Sequence, residues 1–225
     1  MSRLKNPRFF LVYPLVIGMF LMARTTEASF RLGILLISLG ETLRLWANGY
    51  IGHMKTRRVI SAGPYRRIRN PLYLGSSLIG LGICAVVGSL WFALVAMGVL
   101  FVVYRRQMLS EERGLRQELG EEYERYRRSV PRYGFAWRPY PYPQGEWSWQ
   151  GIAASKEWKT VIWVTVVMIG LYLREELWQE REPLFTARLP WKHLALATAA
   201  ILLMATDGLI ELRRHWKPRG QAPGA

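Results

Sequence analysis

The chain has 225 residues, 51% of them hydrophobic, and a formal net charge of +15. A single cysteine excludes a disulfide framework, and the three histidines share no spacing typical of a metal site, so no bound metal is expected. Neither a Walker-type loop nor a dinucleotide fingerprint occurs. A mean hydropathy of +0.04 hides a division into long apolar stretches and basic segments, which indicates a membrane protein.

Apolar stretches recur along the chain at lengths suited to membrane crossing. The first, Phe9–Ala23, is uncharged, and Leu32–Tyr50 follows with two charged residues. No small-residue cleavage site lies between them, so a signal peptide is not expected. Two further candidate spans, Lys159–Leu173 and Pro190–Leu212, occur towards the C-terminal end.

The longest apolar stretch, Pro71–Tyr104, contains no charged residue. As one helix it would measure about 51 Å, against roughly 30 Å of hydrocarbon, so a single span does not fit. Gly88 and Ser89 near its middle supply a turn, which predicts a tight two-pass hairpin. The predicted fold class is all-α: a polytopic transmembrane helical bundle of about six spans with a cytoplasmic amphipathic helix.

Basic residues are distributed unevenly between the segments that separate the spans. With the N-terminus inside, 23 of the 31 Lys and Arg residues fall on the inner side and six on the outer side. This bias is typical of membrane topology, and it argues against nucleic acid as a partner. We therefore expect an integral protein of a bacterial or archaeal inner membrane, with both termini cytoplasmic and anionic lipids as partners.

The segment Gly63–Gly75 reads Gly-Pro-Tyr-Arg-Arg-Ile-Arg-Asn-Pro-Leu-Tyr-Leu-Gly at a predicted membrane boundary. An ordinary connecting loop explains this composition poorly, whereas Gly and Pro can build a rigid turn in which backbone groups reach a ligand. We predict that the segment forms half of a polar site. The candidate binding residues are Gly63, Pro64, Tyr65, Arg66, Arg69, Asn70, Pro71, Tyr73 and Gly75.

The other half of the site is predicted on a helix that begins near Tyr104. Apolar residues at three-, four- and seven-residue spacing give it one buried stripe: Met108, Leu115, Leu119, Tyr123, Tyr126 and Val130. Glu112 falls inside this stripe and Glu111 at its edge, which indicates a functional site. The structural alternative is a buried salt bridge from these carboxylates to Arg105, Arg106 or Arg116.

Glu41 and Arg44 lie three residues apart within an apolar span. They can pair along one helix face, and ionisable groups at membrane depth commonly face a cavity or a partner. Two interpretations stay open for Arg44. It is either half of a charge-neutral pair that holds helices together or a group that reaches a polar headgroup at the cytoplasmic boundary.

These motifs resemble those of the isoprenylcysteine carboxyl methyltransferase and phospholipid methyltransferase superfamily. The resemblance covers roughly Gly33–Arg132 and includes the Gly63–Gly75 segment and Glu111-Glu112. The superfamily usually has Arg-His-Pro where this chain has Arg69-Asn70-Pro71, and Asn cannot carry a proton near neutral pH. The residues from about 159 onward have no counterpart that we can map on the family core.

The resemblance implies an integral membrane enzyme that moves a methyl group from S-adenosylmethionine to a lipid-soluble acceptor. Glu112 facing Tyr65 and Tyr73 would suit the sulfonium cation, and Arg66 or Arg69 the cofactor carboxylate. Arg44 would steady a carboxylate acceptor, while Glu112 would be the base for an amine or phenol. A prenylated cysteine, a phospholipid amine and another lipid-soluble molecule all stay open as acceptors, as does the oligomeric state.

The implied organisation has three parts: a methyltransferase core with a cytoplasmic cofactor site at 1–132, a Pro/Trp-rich linker at 133–157 and a two-span extension at 158–225. The run Arg138–Pro143 predicts a stiff, extended linker. Two other functions compete with the methyltransferase. One is an NADPH-dependent membrane reductase of the sterol-reductase type, and the other is a non-catalytic membrane scaffold or small transporter.

Overall fold

A computed structural model describes residues 8–51, 58–155, 157–179 and 191–215 of this chain. Within these ranges all regular structure is helical, so the predicted all-α class is confirmed. The chain divides into two compact units, Met1–Glu157 and Trp158–Ala225. The helices are α1 Arg8–Met22, α2 Glu27–Ile51, α3 Pro71–Val87, α4 Leu90–Ser129, α5 Trp149–Ser155, α6 Glu157–Gln179 and α7 Trp191–His215, with a 3-10 turn at Gly63–Arg66.

Helices α2 and α3 pack closely because glycines face each other across their interface. A Cβ built on Gly40 would lie 2.6 Å from the carbonyl oxygen of Gly75, and one built on Gly75 would lie 2.7 Å from that of Gly40. Backbones approach to this distance only where side chains are absent. Gly75, predicted to let backbone groups reach a ligand, is buried in this helix contact.

Helices α3 and α4 form the predicted hairpin. The first ends at Gly88, whose left-handed φ of 66° favours glycine, and Ser89 caps the second by accepting from the Phe92 amide at 3.3 Å. The Gly88 amide donates to the carbonyl oxygens of Cys84 and Ala85 at 3.1 Å. The turn predicted at Gly88 and Ser89 is therefore confirmed.

Helix α4 has an apolar first half and a polar second half, with a kink at Gly120 (φ 50°, ψ −122°). Met108, Glu112, Tyr123 and Tyr126 are buried along it, which confirms the predicted stripe and the place of Glu112 in it. Leu115 departs from the pattern because it lines a cavity and is 38% exposed.

Two of the described helices are long and apolar enough to cross a membrane: α4, and Trp191–Ile210 within α7. Helix α3 is apolar but shorter, so the predicted bundle of about six spans is not confirmed. The apolar window of α4 is 17% buried, and Leu94, Val95 and Phe101 on it are each more than half exposed. Such a surface suits lipid. Both chain termini, predicted to be cytoplasmic, lie outside the described residues.

Most of the predicted Pro/Trp-rich linker packs on the first unit. We call residues 133–148 the return segment. Its Ala136 and Tyr140 amides donate to the carbonyl oxygens of Arg67 and Arg66 at 2.7 and 2.8 Å. Tyr140 is buried and meets the ring of Tyr126 edge-on at 5.3 Å. The Pro-rich sequence predicts an extended linker but gives no indication of these aromatic and backbone contacts.

The second unit contains most of α6 and α7. Lys159 Nζ lies 3.5 Å from Asp207 Oδ1, and Trp163 Nε1 donates to Asp207 Oδ2 at 3.2 Å. At the other end of the pair, Glu176 forms an ion pair with Lys192 and lies 2.8 Å from His193 Nε2. Polar contacts therefore join these two helices at two levels.

Candidate functional site

The two predicted motifs meet in the first unit. Tyr73 Oη donates to Glu111 Oε1 at 2.8 Å, which joins the start of α3 to the polar half of α4. Tyr126 Oη donates to the Tyr65 carbonyl oxygen at 2.8 Å, which joins the far end of α4 to the 3-10 turn. Residues about 40 to 60 positions apart in sequence thus lie close together in the fold.

A cavity of about 790 Å³ lies where these elements meet, and we call it the main cavity. Its volume is within the roughly 300–1,000 Å³ typical of small-molecule sites. Aromatic and apolar groups make much of its lining, together with acidic, basic and amide groups. The lining residues are Ile51, Arg58, Val59, Ile60, Tyr65, Arg69, Asn70, Glu111, Glu112, Leu115, Glu118, Leu119, Tyr123 and Tyr126.

Glu112 is 3% exposed and is held by two arginines. Arg132 donates from Nε to Oε1 at 2.9 Å and from Nη2 to Oε2 at 2.7 Å, and Arg69 Nη1 donates to Oε1 at 3.2 Å. The salt-bridge alternative is therefore present, but with Arg69 and Arg132 instead of Arg105, Arg106 or Arg116. Both carboxylate oxygens are engaged by guanidinium groups.

This pairing keeps Glu112 ionised on the polar half of α4, beyond the apolar stretch. Burial acts to raise the pKa of this carboxyl, but the hydrogen bond and charge of Arg132, with those of Arg69, lower it overall. An ionised carboxylate with both oxygens occupied is a poor proton acceptor. The predicted roles of Glu112 as base and as cation contact stay predictions.

Arg69 is committed to protein groups. Its Nε donates to the Val130 carbonyl oxygen at 2.8 Å, and its Nη2 donates to that of Arg127 at 2.7 Å. These carbonyl groups lie at the end of α4, where helical partners run out. Arg69 therefore fixes the chain end of α4 and orients Glu112. Its predicted contact with a cofactor carboxylate stays a prediction.

Tyr65 presents the clearest unsatisfied group in the cavity. The residue is 6% exposed, and its Oη has no hydrogen-bond partner among the described residues. Burial raises the pKa of this phenol far above its ordinary value, so the hydroxyl stays protonated. A buried hydroxyl without a partner costs free energy unless a ligand or solvent satisfies it.

Glu111 differs from its neighbour in having an open oxygen. Its Oε1 accepts from Tyr73 and from Gln107 Nε2 at 3.0 Å, while its Oε2 has no partner among the described residues. The residue is exposed and lines the main cavity. Of the two adjacent carboxylates, Glu111 is the one with an unengaged acceptor in the cavity.

The other predicted binding residues fall around the main cavity, not in its lining, except Asn70. Gly63 has a left-handed φ of 57°, and a Cβ there would overlap the Tyr50 ring. Arg66 Nε donates to the Tyr140 carbonyl oxygen at 3.2 Å, and Asn70 Nδ2 donates to that of Arg132 at 3.2 Å. Pro64 and Pro71 are buried at the starts of the 3-10 turn and α3, and Tyr73 lines a separate cavity of about 140 Å³ beside Asn70.

Arg44, predicted to be catalytic, does not line the main cavity. Its Nη2 and Nε donate to the two oxygens of Glu157 at 2.7 and 3.0 Å, and its Nη1 donates to Ser76. Glu41 and Arg44, which could pair along one helix face, share no hydrogen bond, since both Glu41 oxygens lack a hydrogen-bond partner among the described residues. Glu157, 113 positions away, reaches Arg44 instead.

Sequence reasoning missed Arg58, Glu118 and Arg132 as site residues. Arg58 and Glu118 are exposed, line the main cavity and differ in no visible way from other charged surface residues. Arg132 reaches Glu112 because the chain turns back after α4 ends at Ser129. The Pro131-Arg132 pair beyond the acidic helix was the one available signal.

The phospholipid methyltransferase family model matches residues 28–122, the part of the chain that contains both motifs. No solved structure matches significantly.

Two curated relatives resemble the same portion of the chain. The cobalt-zinc-cadmium resistance protein CzcN of Cupriavidus metallidurans is 32% identical over 102 residues, which is 45% of this chain and 47% of that protein. The nickel-cobalt-cadmium resistance protein NccN of Alcaligenes xylosoxydans xylosoxydans is 26% identical over 108 residues, 48% of this chain and 50% of that protein. The chain thus spans about half the length of the curated relatives it matches. Over residues 28–122 the chain is therefore similar to the phospholipid methyltransferase family.

Proposed function

We propose that this chain is an integral membrane methyltransferase that uses S-adenosylmethionine to methylate a lipid-soluble acceptor. The observation that carries the proposal is the main cavity, which joins the Gly63–Gly75 segment to the acidic part of α4. Neither motif alone would make a site. Their convergence on one concave, partly aromatic surface is what a small charged cofactor requires.

The lining fits such a cofactor on three counts. The phenol rings of Tyr65, Tyr123 and Tyr126 suit a cation, and the open Oε2 of Glu111 adds a negative charge. The unpartnered Tyr65 Oη offers a hydrogen bond in a buried position. Arg58 is exposed and has no ion pair among the described residues, so its guanidinium is available to a carboxylate.

This distribution changes the roles proposed for the individual residues. Glu111, not Glu112, supplies the carboxylate that faces a cation, because both oxygens of Glu112 are held by Arg69 and Arg132. Arg58, not Arg69, pairs with a cofactor carboxylate. Glu112 and Arg69 have a structural role, because their contact joins the segment after the 3-10 turn to α4.

When bound, S-adenosylmethionine supplies an electrophilic methyl group on a sulfonium cation. The tasks left to the protein are orientation and exclusion of water. A carboxylate acceptor needs no base, whereas an ammonium acceptor must lose a proton, which Glu111 Oε2 can accept. A lipid-soluble acceptor would enter from the bilayer, because the apolar half of α4 is largely exposed.

We also propose the finer membrane placement that the charge distribution predicts. In it the chain crosses an inner membrane about six times, and the main cavity faces the cytoplasm, where the soluble cofactor is made. The basic residues Arg105 and Arg106, directly after the apolar half of α4, support this orientation.

The two relatives are named for resistance to metal cations. We propose that methylation by this chain contributes to tolerance of such cations. The test is growth of a host carrying the chain or its Tyr65→Phe variant on cobalt and cadmium salts. Tolerance that needs Tyr65 would support the proposal. Equal tolerance with both chains, or none with either, would contradict it.

The test of the activity is transfer of a labelled methyl group. Purified protein in lipid nanodiscs is incubated with methyl-labelled S-adenosylmethionine and native membrane lipids, and products are identified by mass spectrometry. We expect label in the lipid fraction with the wild-type chain, and much less with Tyr65→Phe or Glu111→Gln. Titration with NADPH is the control for the reductase alternative, and saturable NADPH binding without cofactor binding would overturn the methyltransferase proposal.

A further inference from the structure

A third cavity, of about 360 Å³, lies behind Glu112 and is lined by Leu109, Glu112, Arg113, Arg116 and Arg132. The first four residues share one face of α4 at three- and four-residue spacing, and Arg132 closes the cavity from the chain after the helix. Three guanidinium groups therefore converge on one concave surface that the proposed methyl transfer does not use.

The charge of this cavity is positive after its ion pairs are considered. Its single carboxylate, Glu112, is shared by Arg132 and by Arg69, which lies outside the cavity lining. Arg116 lies 3.2 Å from Glu124, but Glu124 also pairs with Arg127 at 2.9 Å. Arginines thus outnumber carboxylates both in the lining and in the contacts around it.

Several guanidinium nitrogens of the cavity have no protein acceptor. Arg132 uses Nε and Nη2 for Glu112, and Arg113 uses Nε for the Leu109 carbonyl oxygen at 3.3 Å. The Nη1 of Arg132 and both Nη atoms of Arg113 and Arg116 have no hydrogen-bond partner among the described residues. Forked donors on several sides of a cavity match the oxygens of a phosphate group.

We propose that this cavity binds a phosphate group, either that of an anionic membrane lipid or that of a soluble phosphate. Arg113 lies eight residues beyond Arg105, about 12 Å along the helix from the end of the apolar half of α4. That position is close to a headgroup layer and also open to solvent. The site shares Glu112 with the lining of the main cavity but does not depend on the proposed methyl transfer.

The test uses Arg113→Gln/Arg116→Gln, which removes two charges and leaves the Arg132–Glu112 pair in place. Its matched control is Arg125→Gln/Arg128→Gln, which removes the same charge from exposed arginines of the same helix that do not line this cavity. Protein in neutral detergent is titrated by calorimetry with dihexanoyl phosphatidylglycerol, dihexanoyl phosphatidylcholine and inorganic phosphate. Circular dichroism checks that each variant keeps its helices.

We expect saturable binding of phosphatidylglycerol or of inorganic phosphate to the wild-type chain and to the control. In Arg113→Gln/Arg116→Gln the dissociation constant should rise at least tenfold, and added salt should weaken binding. Preference for phosphatidylglycerol without competition from inorganic phosphate identifies a lipid, and binding of inorganic phosphate identifies a soluble source. Absence of saturable binding, or an equal loss in the control, would overturn the proposal. S-adenosylmethionine affinity, measured in parallel, reports separately on the main cavity.

Discussion

Glu111 and Glu112 are neighbours in the chain, but the fold gives their carboxylates different tasks. The oxygens of Glu112 accept hydrogen bonds from Arg69 and Arg132, whereas Glu111 leaves Oε2 open in the main cavity. Glu111→Gln should therefore weaken S-adenosylmethionine binding about three- to tenfold, with little change in thermal stability. Calorimetry and thermal unfolding in detergent measure the two effects.

Glu112→Gln is the matched change one position along. It should lower the free energy of unfolding by about 2–4 kcal/mol, because it leaves the guanidinium groups of Arg69 and Arg132, whose side chains are 8% and 28% exposed, without a full counter-charge. Loss of cofactor affinity at unchanged stability in Glu112→Gln, with no effect of Glu111→Gln, would reverse the roles assigned here.

The Glu112 pair also predicts a dependence of stability on acid. The pKa of Glu112 in the folded protein lies below the ordinary 4.5, so its ionised form stabilises the fold above about that pH. This contribution is lost as the pH falls through the lowered value. Between pH 7 and pH 3 the thermal midpoint of Glu112→Gln should fall less than that of the wild-type chain. Parallel curves would show that Glu112 adds nothing to the acid transition.

Tyr65 permits a test in which stability and binding change in opposite directions. Its buried Oη lacks a protein partner, so Tyr65→Phe should leave thermal stability unchanged or raise it, and should weaken S-adenosylmethionine binding several-fold. Tyr126→Phe is the control, since it removes a hydrogen bond to the Tyr65 carbonyl oxygen and should cost about 1 kcal/mol of stability. A destabilised Tyr65→Phe with normal binding would remove this hydroxyl from the site.

Among the secondary-structure elements, the turn between α3 and α4 depends on the left-handed backbone conformation of Gly88. Gly88 has a φ of 66°, and a Cβ there would lie 2.7 Å from the Arg24 carbonyl oxygen. Gly88→Ala should therefore destabilise the first unit by about 2 kcal/mol. Gly98→Ala, within α4 and with open space around its Cβ, should stabilise by about 0.5–1 kcal/mol. Thermal unfolding compares them, and equal midpoints would contradict the argument.

Features that depend on near neighbours in the sequence could be predicted, whereas contacts between distant residues could not. The Gly88-Ser89 turn and the buried place of Glu112 depend on neighbours within a few positions, and both predictions were confirmed. The Arg44–Glu157 pair joins residues 113 positions apart, and no local pattern indicates it. The Arg132–Glu112 contact needs the chain to turn back after α4, so the sequence identified the acidic residue but not its partner.

The packing of the return segment could not be predicted for a related reason. Its prolines restrict the backbone and predict an extended course, which is what a spacer also requires. The position of an extended segment depends on its hydrogen bonds. The amides of Ala136 and Tyr140 donate to the carbonyl oxygens of Arg67 and Arg66. The segment therefore buttresses the 3-10 turn that carries Tyr65.

At the scale of the whole molecule, the side of the membrane that the main cavity faces decides whether a soluble cofactor can reach it. Glu118 lines this cavity, while Glu27 begins α2 at the opposite end of that helix from Ile51, which also lines it. In the proposed six-span placement α2 crosses the bilayer, so the two positions should lie on opposite sides of it. The native Cys84 is buried, so a Cys84→Ala background permits single-cysteine labelling.

Glu27→Cys and Glu118→Cys in this background give a test of orientation in intact cells. The Glu27 side chain is 86% exposed, and Glu118 is exposed as well, so both thiols should be accessible to reagent on their own side. With a membrane-impermeant maleimide we expect Glu27→Cys to react in intact cells and Glu118→Cys to react after permeabilisation alone. The reverse pattern would place the main cavity outside, away from the S-adenosylmethionine pool, and would rule out the proposed reaction in cells. Labelling of both thiols in intact cells would contradict a span between them, because residues on one side of a bilayer share access to the reagent.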